Sequence, residues 1–405
     1  MKKRMKWISL ALTALLAASA LAGCGGANAG GGDEGASASS SAASSAAASG
    51  GKTFKIGAIG PLTGGAAVYG NAVVNAGELA VKEINEAGGI NGFQVEYRGE
   101  DDEHDAEKAV NAYNALKDWG CQILDGTTTS APCIAVAEKT KKDNMFQLTP
   151  SGSAVECVQN DNVFRVCFSD PNQGVASADY IADNKIGTKI GIIYDSSDVY
   201  SSGIEAKFVE EAAVKGLDVF EPQAFTADSK TDFSAQLQSI SNAGCDVLFL
   251  PIYYTESSII LTQANQMGYA PTVFSCDGMD GILAMENFDV SLAEGVMLLT
   301  PFAADAQDEL TQNFVKNYQA AYGDIPNQFA ADSYDAIYAI KMAAEKAGIT
   351  PDMSVSDICE ALKKAITEID YSGLTSESIS WDASGEPNKE PKAVIIKDGA
   401  YVSAQ

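Results

Sequence analysis

The chain is poor in the residues that most enzymes use to move protons and hold metals. It has one histidine, His104, in 405 residues. General-base, triad and zinc designs mostly need a well-placed histidine, so this scarcity argues against hydrolase and metalloenzyme chemistry. His104 lies in the polar run DDEHDAEK, which reads as a solvated loop entering a helix. Basic residues are also few: 27 Lys and Arg stand against 54 Asp and Glu, a formal charge of −27. Such a surface argues against nucleic acid and anionic lipid as partners of the folded body. No G-x-x-x-x-G-K-[ST], G-x-S-x-G or H-E-x-x-H occurs, and Gly57-Ala58-Ile59-Gly60 after the first expected strand is not G-x-G-x-x-G, so no motif there marks a phosphate cradle, a serine nucleophile or a zinc site. The eight cysteines form no C-x-x-C, which leaves zinc ribbons and thioredoxin-type redox sites unsupported. No cofactor and no metal are expected. Past Cys24 no apolar run is long enough to cross a bilayer.

What is present begins with a processing segment. Lys2, Lys3, Arg4 and Lys6 precede the apolar run Trp7 to Ala20, and Leu21-Ala22-Gly23-Cys24 matches the lipobox of bacterial lipoprotein signal peptides. Residues 1–23 therefore read as a cleaved signal. Cys24 reads as a lipidated N-terminus that anchors the protein without spanning the membrane. Loss of the four basic residues leaves 23 against 54, a formal −31. Residues 24–51 hold the anchor and a Gly/Ser/Ala tether with almost nothing to build a core. Of the remaining seven cysteines, Cys157 and Cys167 flank a short apolar run with a turn at Gln159 to Asn162, the best-spaced pair for a disulfide. The alternative is that all seven are small buried hydrophobes.

From Phe54 the pattern becomes strand–helix–strand. Strands are expected at 54–60, 93–98, 121–124 and 145–148, with helices at 71–87 and 105–119 and a third opening near Ser130. The pattern then repeats, with strands at 189–194, 219–225, 245–250 and 272–274 and helices at 200–215, 232–242 and 255–267. Trp119-Gly120-Cys121-Gln122-Ile123-Leu124 is echoed by Ala243-Gly244-Cys245-Asp246-Val247-Leu248. Helices are also expected at 305–322, 328–347 and 355–369, and strands around a turn near 378–385 and 393–396. The reading is α/β, with two doubly wound parallel-sheet lobes and right-handed crossovers. Ligands of such folds bind beyond the carboxyl ends of the strands, here in the cleft between lobes.

The stretch from Asp125 to Ser153 places hydroxyls at both ends of a helix. Ser130 suits an N-cap, and Lys139, Lys141 and Lys142 suit the far end. The near end offers free N–H groups and hydroxyls, an anion site of carboxylate or phosphate size, unless Ser130 does no more than cap. Ser130 and Ser153 can donate to a carboxylate, and Asp277 can meet an ammonium. Tyr69, Tyr200 and Tyr253 can form walls, or be half-buried packing residues. Asp277 can equally be a turn residue ahead of Gly278.

The runs FKIGAIGPLTGGAAVYG, INEAGGINGFQVE, TTTSAPCIAV, LTPSGSA, IIYDSSDVYSSG, VLFLPIYYTE, FSCDG and ISWDASGEP cover the body from about Lys52 to Gln405. Together they resemble the leucine/isoleucine/valine-binding proteins, the type I periplasmic-fold solute receptors of ABC importers. The resemblance implies lobes of residues 52–170 plus 301–372 and 171–300 plus 373–405, with crossovers near Asp170–Pro171, Thr300–Pro301 and Tyr371–Leu374. It implies that Ser130 and Ser153 hold a ligand carboxylate and that Ser151 offers a carbonyl to the amino group. Tyr200 and Tyr253 then close from the second lobe, Asp277 meets the ammonium, and Tyr69 faces the ligand side chain. The disulfide that some members of that family place beside the carboxylate site is absent, because His104 and Thr129 occupy those positions. The expected function is an extracytoplasmic, lipid-anchored, monomeric receptor that passes a free amino acid, branched-chain first, to ABC permease subunits. The alternatives are an amide, urea or polar amino acid as ligand, a sensor that reports to a partner receptor, and an enzyme.

Overall fold

The computed structural model describes residues 51–404 except Glu286. The expected signal, the lipidation site at Cys24 and nearly all of the tether lie outside the described residues. Among those described, no helix is long and apolar enough to cross a membrane.

In chain order the first half runs β1 (Phe54–Gly60), α1 (Ala67–Glu86), β2 (Val95–Asp101), α2 (Ala106–Trp119), β3 (Ile123–Gly126), α3 (Ser130–Asp143), β4 (Phe146–Thr149) and β5 (Val163–Arg165). These strands form one parallel sheet in the order β2-β1-β3-β4-β5. The chain continues through α4 (Asp170–Asp183), β6 (Lys189–Asp195), α5 (Val199–Lys215), β7 (Asp218–Val219), β8 (Gln223–Phe225), α6 (Ser234–Asn242), β9 (Val247–Leu250), α7 (Tyr254–Gln266), β10 (Thr272–Ser275) and β11 (Met297–Thr300). It ends with α8 (Glu309–Tyr322), α9 (Gln328–Ala347), α10 (Val355–Ile366), β12 (Lys392–Lys397) and β13 (Ala400–Ser403). The second sheet has the order β13-β12-β11-β10-β9-β6-β7, with β8 also on β6. Its last two pairings are antiparallel. Helices on both faces of largely parallel sheets follow from strands that are buried along their whole length. The sequence of β4, FQLT, and of β9, VLFL, shows that pattern.

The internal echo has a structural meaning. The Gln122 side chain accepts from the Lys55 N–H beside the first sheet, and Asp246 accepts from the Lys189 N–H beside the second. Each polar residue ties the start of one strand to its neighbour, at the same place in each sheet.

Helix α9 packs against α1 and α10, with Ala330, Ala331, Ala336, Ala339, Ala343 and Ala344 letting neighbours approach closely. Its buried Asp335 accepts from the N–H groups of Leu374 and Thr375, at 2.8 and 3.0 Å, and from the Thr375 hydroxyl, at 2.6 Å. Buried carboxylates persist where they are multiply bonded, as here.

Several expectations change. The strand expected at 219–225 is two short pieces, because Pro222 has no N–H to give the ladder. β5, α4, β11 and β13 lie where the sequence reading places no element. Residues 378–385 form isolated bridges rather than strands, pairing Tyr371 with Ile379 and Trp381 with Pro387. Cys157 and Cys167 are both free and buried. The turn between them runs into β5, which the first sheet claims through Val163 to Arg165, so the two cysteines do not face one another as hairpin partners.

Candidate ligand-binding cleft

The loops that follow β1, β3, β4, β6, β9 and β10 meet above the carboxyl ends of the two sheets. They close on a small cavity lined by Tyr69, Ser130, Ser151, Ser153, Tyr200, Tyr253 and Asp277, joined by Thr128, Thr129, Gly278 and Phe329. All seven residues singled out from sequence are thus brought to one place. The free space inside is about 10 Å³, room for about one water, so the cleft is closed here and its walls must part to admit a solute.

One end of the cavity is rich in donors. Ser130 is the first residue of α3 and does not cap it: Thr129 takes the N-cap place with extended backbone, and neither side chain bonds the first turn. Ser130 Oγ instead accepts from the N–H groups of Ser153 and Ala154, both at 3.2 Å. With its lone pairs so occupied, its O–H remains as a donor. Ser151 Oγ donates to the Thr128 carbonyl at 2.5 Å, which ties the two loops together. Gly152 is required between them, since a Cβ there would lie 2.8 Å from Thr149 Oγ1 and 2.9 Å from Cys133 Sγ.

The other end is acidic. Asp277 Oδ1 accepts from the Tyr200 hydroxyl at 2.6 Å, and the same hydroxyl accepts from the Gly278 N–H at 2.9 Å. Burial pushes the Asp277 carboxyl up to about 6, against the pull of the Tyr200 hydrogen bond. Gly278 leaves room for this contact, because a Cβ there would sit 2.6 Å from Tyr200 Oη. Tyr200 stacks on Tyr253 with ring centroids 4.9 Å apart and planes 8° apart. Asp170, which sequence reasoning placed only at a crossover, lies close by. Its backbone N–H donates to the Ser153 carbonyl. Neither carboxylate oxygen has a hydrogen-bond partner among the described residues. Burial, with the nearby Asp277 charge, raises its pKa well above the usual range.

Tyr69 spans the cleft. Its hydroxyl donates to the Gly278 carbonyl and accepts from the Tyr254 N–H at 3.2 Å, and its ring lies 4.3 Å from Phe329. Thr255 Oγ1 donates to the Gly65 carbonyl at 2.6 Å at the rim. His104 and Thr129 touch, Nδ1 to Oγ1 at 2.9 Å, and the His104 ring meets Tyr253 edge-on. Burial, reinforced by Lys230, lowers the His104 pKa and favours the neutral ring. His104 is therefore a packed wall residue and not part of a solvated loop. Phe329 and Asp170 carried no local signal: each is supplied by a helix start far along the chain from the loops it joins.

The model of one protein family, described as periplasmic binding protein, matches residues 53–399. The chain belongs to the periplasmic binding protein family. Among curated relatives of this binding protein is the Leu/Ile/Val-binding protein BraC3 of Rhizobium johnstonii, 29% identical over 343 residues, covering 81% of this chain and 91% of that one. Another is the leucine-, isoleucine-, valine-, threonine- and alanine-binding protein of Pseudomonas aeruginosa, 28% identical over 316 residues, covering 77% and 82%. Among solved structures, the branched-chain amino acid transporter substrate binding protein LivJ of Streptococcus pneumoniae, in complex with isoleucine, is similar with a TM-score of 0.79. It is 26% identical and covers 87% of this chain and 99% of that one. Members of this family are substrate-binding receptors of ABC importers, which act outside the cytoplasm.

Proposed function

We propose that this binding protein captures a free α-amino acid in the cleft and delivers it to an ABC permease. The carrying observation is the polarity of one small cavity. Its Ser130 end offers a hydroxyl donor held in place by two backbone N–H groups, and its Asp277 end offers a carboxylate braced by Tyr200. A carboxylate and an ammonium on one carbon fit such a pair of ends. Tyr69, Tyr253, Phe329 and Thr128 would surround the side chain. The relatives named above bind branched-chain amino acids, and their similarity supports the same ligand class here. Threonine or alanine is the second reading, on the similarity to the Pseudomonas aeruginosa protein, and for threonine the hydroxyl residues Thr128 and Thr129 on the cavity wall favour it.

In this reading residues 52–170 plus 301–372 and residues 171–300 plus 373–405 are two lobes that hinge on crossovers near 170–171, 300–301 and 371–374. Ligand binds the closed form best, so it shifts the population toward closure. Binding occurs without turnover and without cofactor or metal. The mature protein is a monomer, held to the outer face of the cell membrane by lipid on Cys24.

Titration calorimetry against the twenty common amino acids, with amides and urea as controls, tests the ligand. Saturable binding of leucine, isoleucine or valine is expected. Binding confined to threonine and alanine would replace the branched-chain reading with the second one, and binding of urea alone would exclude both. Cys24→Ser is expected to release the protein from the membrane fraction.

A further inference from the structure

Among the described residues Arg165 is the largest side chain buried without exposure. It lies behind the cavity wall at the end of β5. Its Nη1 donates to two successive carbonyls, those of Gly152, at 3.1 Å, and of Ser153. The same two peptide units carry the N–H groups of Ser153 and Ala154, and both of these donate to Ser130 Oγ. A positive charge thus pulls on the oxygen end of two peptides whose hydrogen ends converge on one hydroxyl. Chains of hydrogen bonds polarise one another in this manner, most strongly where water is excluded. On the far side, Arg165 Nη2 donates to Glu386 at 3.0 Å, and the Trp381 indole N–H donates to the Arg165 carbonyl at 2.6 Å. The Arg165 N–H itself donates to the Gly385 carbonyl. The residues around 381–386 therefore hold the arginine from behind.

We propose that Arg165 is a positioning residue for the carboxylate end of the cleft. It acts on a bound anion at one remove, through the Gly152–Ser153 and Ser153–Ala154 peptides and the Ser130 hydroxyl. It also supplies the buried positive charge that a desolvated carboxylate needs nearby. This rests on the amino-acid reading above. It predicts something that loop scaffolding alone does not: Arg165 governs preference for a carboxylate over a neutral group, not affinity at large.

The test compares the best-bound of the twenty common amino acids with the amino alcohol of the same side chain, by competition titration on the full mature chain. Arg165→Gln is expected to weaken the amino acid roughly tenfold or more, the scale of a lost charge-assisted bond, and to leave the amino alcohol little changed. Equal losses for both ligands, or none for either, would overturn the proposal. Because Arg165→Gln removes a buried hydrogen-bonding hub, its fold is checked by thermal melting, and Glu386→Gln decides if it fails to fold. That variant keeps a hydrogen-bond acceptor for Nη2 but removes the opposing charge. Preference for the amino acid is expected to rise about twofold to fivefold, the size of a partly exposed ion pair; an unchanged or lower preference sinks the idea. A native protein that binds no amino acid overturns the functional reading and this inference together.

Discussion

Asp277 is in conflict with its surroundings. It is 4% exposed, and burial holds its carboxyl near 6 in place of the ordinary carboxylate range. With the folded pKa above the unfolded one, the native state binds the extra proton, so stability is lost as pH rises from about 4 to about 6. Above that window the ionised group costs roughly 3 kcal/mol. An ammonium beside Asp277 would relieve the cost. Asp277→Asn is therefore expected to melt higher than the native protein at pH 7.5 in the absence of ligand. It should also bind an amino acid at least roughly thirtyfold more weakly, about 2 kcal/mol, for want of the opposite charge. In the native protein, affinity should be flat above neutrality and fall by up to roughly tenfold per unit as pH drops below about 6. Calorimetry at stepped pH reads this directly, and a profile level from pH 7.5 down to 5 would remove Asp277 from the ligand's charge partners. Ser130→Ala strands the Ser153 and Ala154 N–H groups as well as removing a donor. A loss of about 2 kcal/mol in binding is expected from the same titration.

At the scale of elements, the loop between β4 and β5 is the tightest part of the site. Gly152→Ala would push a methyl group into Thr149 and Cys133, and overpacking of this kind costs about 1–3 kcal/mol. The melting temperature should drop, and amino-acid binding should weaken with it, since the displaced segment carries the Ser153 and Ala154 N–H groups that hold the Ser130 hydroxyl. The sequence made the elements around this loop readable. Hydrophobic strands bounded by glycines, and helices stopped at Gly120, Gly216 and Gly348, appear close to where periodicity puts them. The convergence of Ser130, Ser153, Tyr200 and Asp277 followed from a repeated lobe pattern and the rule that loops at strand ends meet. What was not legible depends on partners distant in sequence. Ser130 looks like a cap because the N–H groups that engage it come from residues 23 and 24 positions later. Arg165 reads as one basic residue in an apolar strand until Gly152, Ser153 and Glu386 are packed around it. β11 is a short apolar run whose identity as a strand depends on β10 and β12.

At the scale of the molecule, the loops above the two sheets are joined across the cleft by the Tyr69, Tyr254 and Thr255 hydrogen bonds. Tyr69→Phe removes the bonds to Gly278 and Tyr254 while keeping the ring on Phe329. Small-angle scattering of the ligand-free variant is expected to give a larger radius of gyration than the native protein, and saturating amino acid should restore the smaller value. A variant indistinguishable from native without ligand would mean that Tyr69 does not hold the lobes together. Ligand that binds only the folded protein should also raise its melting temperature, by an amount equivalent to about 2.7 kcal/mol at a hundredfold excess over Kd.

The antiparallel end of the second sheet has a consequence for how the chain is made. β11 lies at residues 297–300, yet its outer neighbour β12 is built from residues 392–397, after the chain has crossed into the first sheet's surroundings to form α8, α9 and α10. A chain emerging from the ribosome cannot cover the bare edge of β11 until residues 392–397 have been synthesised. Exposed edges invite pairing with other chains, and contacts between distant segments form slowly. Completion of the second sheet therefore waits on residues 392–397, about ninety positions after the strand they cover.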